Sequence, residues 1–155
     1  MPEPMVSGNP MAKIFLCYAR EDQTQVAEIY RHLQELGFQP WMDKFDLIPG
    51  QRWRQEIPKA LQDSDFIFIF FSRHSVAGRG YVQREFKLAL DTLQEIPEDM
   101  IHTIPIRLDT CAIPTQFGFL QWCDFFETDG WQRIEHAIKT GLGRVCKPCF
   151  GLYIS

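Results

Sequence analysis

Long apolar runs are missing from this chain. None of its 155 residues belongs to an uncharged apolar stretch of about 18, so no membrane-spanning helix and no membrane partner are expected. Positive charge is also short. The chain holds 16 Lys and Arg against 20 Asp and Glu, a net charge of −4, with no basic stripe, so no nucleic-acid surface is expected. Cysteine is sparse and unpatterned. Cys17, Cys111, Cys123, Cys146 and Cys149 are odd in number and scattered, unlike a secreted disulfide framework. Cys17 and Cys123 fall in apolar strands and read as small buried hydrophobes. The lone Cys146-Lys147-Pro148-Cys149 lacks a second Cys or His pair, so no metal site is expected. Met1–Pro10 has neither the charged start nor the apolar middle of a signal peptide. It reads as a flexible tail, and a cytoplasmic location is the default.

Catalytic and phosphate-binding signatures are equally scarce. No G-x-G-x-x-G follows a strand, which disfavours a hydride-transferring dinucleotide fold, and no G-x-x-x-x-G-K-[ST] marks a P-loop. There is no H-E-x-x-H. His32, His74, His102 and His136 are scattered and read as surface or strand-end residues. There is no G-x-S-x-G elbow.

What is present is alternation. Lys13 to Tyr18 reads as a strand. Val26, Ile29, Tyr30, Leu33 and Leu36 then recur at helical spacing. Asp22 and Gln25 have capping-box spacing, and Gly37 is a helix stop. Phe38 to Met42 reads as a second strand, which Pro40 places at an edge. Asp43 to Gly50 reads as a loop with a Pro49-Gly50 turn. A helix follows with Trp53, Ile57, Ala60 and Leu61 inward, and Pro58 should kink it or shorten its start. Asp65 to Phe71 is apolar on both faces, like a central parallel strand. A helix over Tyr81 to Leu93, a strand over Ile101 to Leu108 and a strand over Gln121 to Phe126 follow. A last helix, opened by Asp129 and Gln132, carries Ile134, Ala137, Ile138 and Leu142.

This order predicts one α/β domain: a flavodoxin-like three-layer fold, five parallel strands in the order 2-1-3-4-5, with helices on both faces. The domain spans 12–142, between an N-terminal tail (1–11) and a C-terminal tail or linker (143–155). The topological switch point falls between strands 1 and 3. Its crevice is expected to be lined by Tyr18-Ala19-Arg20-Glu21 and by the loop from Ser72 to Gly80. Tyr81 and Glu85 stand four residues apart, on one helical face at that place. A ring and a carboxylate side by side can bind a flat ring and steady a positive charge. Each also has a plainer reading. Glu85 alone is equally a solvated helix charge, Tyr81 a packing residue, Arg20 a surface charge, Asp43 a turn cap, and Trp41 and Trp53 core anchors.

Three segments together resemble a Toll/interleukin-1 receptor (TIR) domain of the bacterial kind. They are Ile14-Phe15-Leu16-Cys17-Tyr18-Ala19-Arg20-Glu21-Asp22; Gly37 to Asp43 continuing through Asp46-Leu47-Ile48-Pro49-Gly50-Gln51-Arg52-Trp53; and Ser64 through Ser72, then Ser75-Val76 and Tyr81-Val82-Gln83-Arg84-Glu85. Pro105-Ile106-Arg107-Leu108 and Asp129-Gly130-Trp131 extend the likeness. Response-regulator receivers share the strand order, but their phosphoacceptor aspartate ends strand 3, where this chain has Phe71-Ser72.

The resemblance implies cleavage of NAD⁺ at the nicotinamide–ribose bond, releasing nicotinamide and ADP-ribose or a cyclic isomer, in bacterial defence, antiviral defence included, or cell-death signalling. NAD⁺ is then substrate, and no separate cofactor is implied. Glu85 matches the glutamate of the family's W-x-x-x-E pattern, and Tyr81 stands where the tryptophan usually is. The substrate-binding residues implied are Tyr18, Ala19, Arg20, Asp43, Ile48, Ser72 and Tyr81, with Arg20 on the pyrophosphate. Phe45, Leu47 and Ile48 correspond to the protruding BB loop, an oligomerisation element. Other TIR domains, and a separate sensor or activator chain, are the protein partners implied. The alternative is a non-catalytic TIR–TIR assembly module, as in animal receptors and adaptors.

Overall fold

Six consecutive buried side chains organise the sheet. In the computed structural model, which describes residues 12–77, 91 and 102–154, Phe66–Phe71 forms β3 and every residue in it is buried. Aromatic and β-branched side chains suit a strand packed on both faces. β3 lies between β1 (Lys13–Cys17) and β4 (Thr103–Arg107). β2 (Gln39–Trp41) lies outside β1, and β5 (Cys123–Asp124) outside β4. All four pairings are parallel, and the order is β2-β1-β3-β4-β5, the fold class and strand order expected. Ile14 opposes both Pro40 and Phe66, which fixes the register across three strands.

Five helices accompany the sheet among the described residues: α1 (Gln23–Glu35), α2 (Asp43–Asp46), α3 (Trp53–Asp63), α4 (Arg73–Ala77) and α5 (Gly130–Ile154). Strand alternation divides the core between two faces. Ile14, Leu16, Phe66, Phe68, Phe70 and Ile106 meet Val26, Ile29 and Leu33 of α1 and Ile134 and Ile138 of α5. Phe15, Cys17, Ile67, Ile69 and Phe71 meet Ile57 and Leu61 of α3, with Phe117 from the β4–β5 connection. Cys17, Cys111 and Cys123 are buried. Among the described residues, no helix is long and apolar enough to cross a membrane.

The two turn glycines behave as their positions require. Gly37 has φ +94° and ends α1. Its N–H donates to the Gln34 carbonyl and that of Phe38 to the Leu33 carbonyl, both at 3.0 Å, the Schellman pattern. Gly50 has φ +96° in the turn closed by the Gln51 N–H on the Ile48 carbonyl at 2.9 Å. That is the geometry Pro-Gly favours at the centre of a type II turn.

Elsewhere tertiary contacts override local signals. Asp22 makes no side-chain cap on α1. Residues Asp43–Asp46 are a helical turn rather than loop. The cause is Asp46, whose carboxylate accepts the Met42 N–H at 2.9 Å and the Tyr30 hydroxyl at 3.2 Å. Burial, with Asp46 adding to it, pushes the Tyr30 hydroxyl up to about 12. α3 runs through Pro58, beginning at Trp53, and shows Ile57 and Leu61 to the core as its spacing predicts. α5 extends to Ile154, past the end that its apolar stripe suggested.

β5 is two residues long where Gln121 to Phe126 was expected. Arg107 explains the difference. Its Nε and Nη2 donate to Asp124 Oδ1 and Oδ2 at 2.6 and 3.1 Å, and Nη1 donates to the Cys111 carbonyl at 2.8 Å. The rings of Trp122 and Phe126 each lie 5.7 Å from the guanidinium. These aromatics flank a cation instead of extending a ladder.

Arg107 holds the Asp124 carboxyl below the usual carboxylate range. A depressed carboxyl stabilises the fold above its unfolded value of about 4, and that contribution disappears as pH falls through the folded value. The pair is a fifth to a quarter exposed, so solvent screening limits it to about 1–2 kcal/mol despite its bidentate geometry. Asp124→Asn is therefore expected to lose that much stability at pH 7 in urea denaturation. The gap from the native sequence should narrow as pH falls below about 4 and close by about pH 2; an equal gap at about pH 7 and about pH 2 would refute the assignment.

Candidate active site

The carboxyl ends of β1, β2 and β3 converge at the switch point. Tyr18, the first residue beyond β1, is buried, and its hydroxyl donates to Asp43 Oδ1 at 2.5 Å. Asp43 opens α2, just beyond β2, so this bond joins two crevice loops. A tight 3₁₀ turn, Arg20–Asp22, follows Ala19, whose carbonyl accepts the Asp22 N–H at 2.9 Å. The turn brings Arg20 to the same place.

A cavity of about 470 Å³ results, lined by Tyr18, Arg20, Gln23, Asp43, Lys44, Leu47 and Trp53. Its chemistry is mixed. Arg20 and Lys44 supply positive charge for phosphate oxygens, and Arg20 can bind them bidentately. Trp53 supplies a flat ring, and Asp43 a carboxylate that can accept hydroxyl protons. A second concavity, of about 500 Å³, lies between α5 and the β4–β5 edge. Its walls include Leu120, Trp122, Ile134 and Ala137 and, among the described residues, hold no carboxylate to stabilise a developing cation.

The expected site residues are distributed as follows. Tyr18, Arg20 and Asp43 share the cavity. Ala19 is buried in the α3-side core, so only its backbone could meet a ligand. Ser72 is buried behind the crevice rather than in the cavity wall. Ile48 is 61 % exposed and outside the lining, whereas its neighbour Leu47 is within it. Phe45 is 40 % exposed, yet its ring rests 4.8 Å from that of Tyr30, with Arg31 and Lys44 over it at 5.7 and 5.6 Å. Tyr81 and Glu85 lie outside the described residues. Gln23, Lys44, Leu47 and Trp53 are the cavity residues that sequence reasoning did not place there, Leu47 being assigned to oligomerisation. Only the proximity of Trp53 to the Pro49-Gly50 turn gave a signal for any of them.

Behind the cavity, Ser72 connects the β1 and β3 loops. Its hydroxyl donates to Asp22 Oδ2 at 2.5 Å. Ser72 and Ser75 also exchange two bonds, Ser75 N–H to Ser72 Oγ at 3.1 Å and Ser72 N–H to Ser75 Oγ at 2.9 Å. This reciprocal pair is a capping box for α4, with serine in place of the usual glutamate. One residue on, the Arg73 N–H donates to Asp109 Oδ2 at 3.2 Å, joining the β4 loop to the same cluster.

The architecture defines a doubly wound α/β protein with a crevice at the β1/β3 switch point, where such folds place their ligands. A TIR domain family profile matches residues 14–138. The chain belongs to the TIR domain family. Two bacterial relatives match part of it. An uncharacterised protein, y4cD, of Sinorhizobium fredii is 33 % identical over 78 residues, 50 % of this chain and 12 % of its own length. A protein of Paracoccus denitrificans named NAD(+) hydrolase PdTIR is 36 % identical over 70 residues, 44 % of this chain and 23 % of its own. The chain thus spans under a quarter of either relative. Among solved structures, the TIR domain of the Toll-related receptor TRR-2 from Hydra magnipapillata superposes with a TM-score of 0.68 at 19 % identity, covering 81 % of this chain and 97 % of that one. The TIR domains of the activated Roq1 resistosome recognising the effector XopQ give 0.57 at 22 %, covering 64 % and 59 %. A prokaryotic SEFIR domain gives 0.63 at 14 %, covering 82 % and 92 %. These structural likenesses concern the fold.

Burial raises the Asp22 carboxyl, against the lowering effect of the Ser72 hydroxyl. A raised carboxyl costs stability when charged, so its folded state gains relative stability as pH falls from the folded value toward about 4. Asp22→Asn keeps an accepting oxygen without the charge. Compared with the native sequence, it is expected to be equally or more stable at pH 7 and to lose that advantage by pH 4 in thermal unfolding. A variant that is less stable at pH 7 and recovers on acidification would reverse the sign and refute this.

Proposed function

We propose that this chain cleaves NAD⁺ at its nicotinamide–ribose bond, releasing nicotinamide and ADP-ribose or a cyclic isomer. The observation that carries the reading is the switch-point cavity, where Arg20, Lys44, Trp53 and Asp43 converge in a TIR-family chain. A relative named as an NAD(+) hydrolase supports the same reading. Arg20 and Lys44 take the pyrophosphate, and the carboxylates serve the ribose side. Departure of nicotinamide leaves an oxocarbenium-like ribosyl centre, which an adjacent carboxylate stabilises and a water or ring nitrogen attacks. Glu85 is that carboxylate, and Tyr81 flanks the nicotinamide. The activity serves bacterial defence, antiviral defence included, or cell-death signalling. It operates in the cytoplasm, where Cys17, Cys111 and Cys123 remain thiols. Self-association with other TIR domains, or an activator chain, turns it on.

A second reading, an assembly module without activity, draws on Ile48. Its backbone is pinned on both sides by Gln51, whose Oε1 accepts the Ile48 N–H at 2.7 Å and whose N–H reaches the Ile48 carbonyl, while its side chain faces solvent.

The test is nicotinamide release from NAD⁺ by concentrated protein, followed chromatographically, with and without forced clustering. Glu85→Gln is expected to lower the rate by at least about 100-fold, the scale for removing a group that stabilises transition-state charge. Arg20→Ala is expected to raise KM by about tenfold, the scale of one charge-assisted hydrogen bond. No release from the clustered native chain would leave the assembly reading standing.

A further inference from the structure

Asp22 is a buried carboxylate with no part in the chemistry just described. It is 8 % exposed and ends the 3₁₀ turn that carries Arg20. Local sequence offers it a partner, the free N–H groups at the start of α1, yet it makes no such bond. It reaches instead across 50 residues to the Ser72 hydroxyl, which is 1 % exposed. That hydroxyl gives its proton to Asp22 and accepts the Ser75 N–H. A single hydroxyl therefore joins the turn leaving β1 to the turn leaving β3, on either side of the switch point. A carboxylate withdrawn from water is costly unless hydrogen-bonded, so this bond resists sliding or opening.

We infer that Asp22 is a positioning residue, which through Ser72 fixes the Arg20 turn so that Arg20 meets the substrate pyrophosphate. The inference rests on the NAD⁺ reading for its ligand, but the clasp can be observed without it. Asp22 lies outside the cavity lining. It acts on Arg20 alone, which separates it from a residue that merely stabilises the fold.

The experiment compares the full chain with Ser72→Ala, Asp22→Ala, Asp22→Asn, Arg20→Ala and the Arg20→Ala/Ser72→Ala double variant. Each is followed by nicotinamide-release kinetics and by hydrogen exchange over residues 19–23. Ser72→Ala and Asp22→Ala are expected to raise KM for NAD⁺ about tenfold with a smaller change in kcat. Asp22→Asn, which keeps the acceptor, should stay within about threefold of the native KM. In the Arg20→Ala background Ser72→Ala should add less than about twofold, because coupled residues are not additive. The Asp22 amide, bonded to the Ala19 carbonyl, should exchange about tenfold faster in Ser72→Ala. An unchanged KM in Ser72→Ala, or a full additive loss in the Arg20→Ala background, overturns the inference. If the native chain leaves NAD⁺ intact, the NAD⁺ reading fails. The clasp is then judged on exchange, where unchanged protection of Asp22 in Ser72→Ala overturns it.

Discussion

The burial of β3 on both faces is the constraint from which the rest follows. A strand with no polar side chain cannot border water, so helices must cover the sheet above and below. Covering both faces of a parallel sheet requires crossovers that leave some strands toward α1 and others toward α3. Where β1 and β3 part company in this way, their carboxyl ends cannot be bridged by a short connection, and a crevice opens. The switch-point cavity is thus a by-product of hiding Phe66 through Phe71 from solvent.

The crevice itself is held by weaker means. Tyr18 to Asp43, Asp22 to Ser72 and the Arg73 amide to Asp109 are single hydrogen bonds that link the loops after all four long-range strand ends. Each contributes a net of about 1–2 kcal/mol, against about 1.5–3 kcal/mol for burying one large apolar side chain of the core. Six buried residues of β3 therefore outweigh the whole rim. The scaffold is stiff and the rim adjustable, a division suited to loops that must accept a ligand.

Local physics made the scaffold legible. Apolar patterning marked the five strands and the helices α1, α3 and α5, although Arg73–Ala77, expected as loop, is helical, and the helix expected over Tyr81 to Leu93 lies outside the described residues. Gly37, Pro49 and Gly50 marked turns because their backbones suit those dihedrals. The failures share a cause. Asp46 winds α2 by means of Tyr30, 16 residues earlier, and Asp22 abandons its cap for Ser72, 50 residues later. Arg107 recruits Trp122 and Phe126 out of β5 from another strand. None of these partners lies within a window over which periodicity can be read. At the site, Tyr18, Arg20 and Asp43 followed from topology and family likeness, and the structure gathers them. Trp53 was read as an anchor, which it partly is, since it packs against the α3-side core while facing the cavity. Tyr81 and Glu85 rest on helical spacing and the family pattern alone.

Pro40 has a bearing beyond its own strand. β2 is the outermost strand on its side of the sheet and only three residues long. Proline at its centre offers no amide hydrogen. A strand from another molecule seeking to zip onto that border would find a short, interrupted template, a recognised safeguard against runaway sheet growth. Pairing of a second strand along this border is thereby disfavoured.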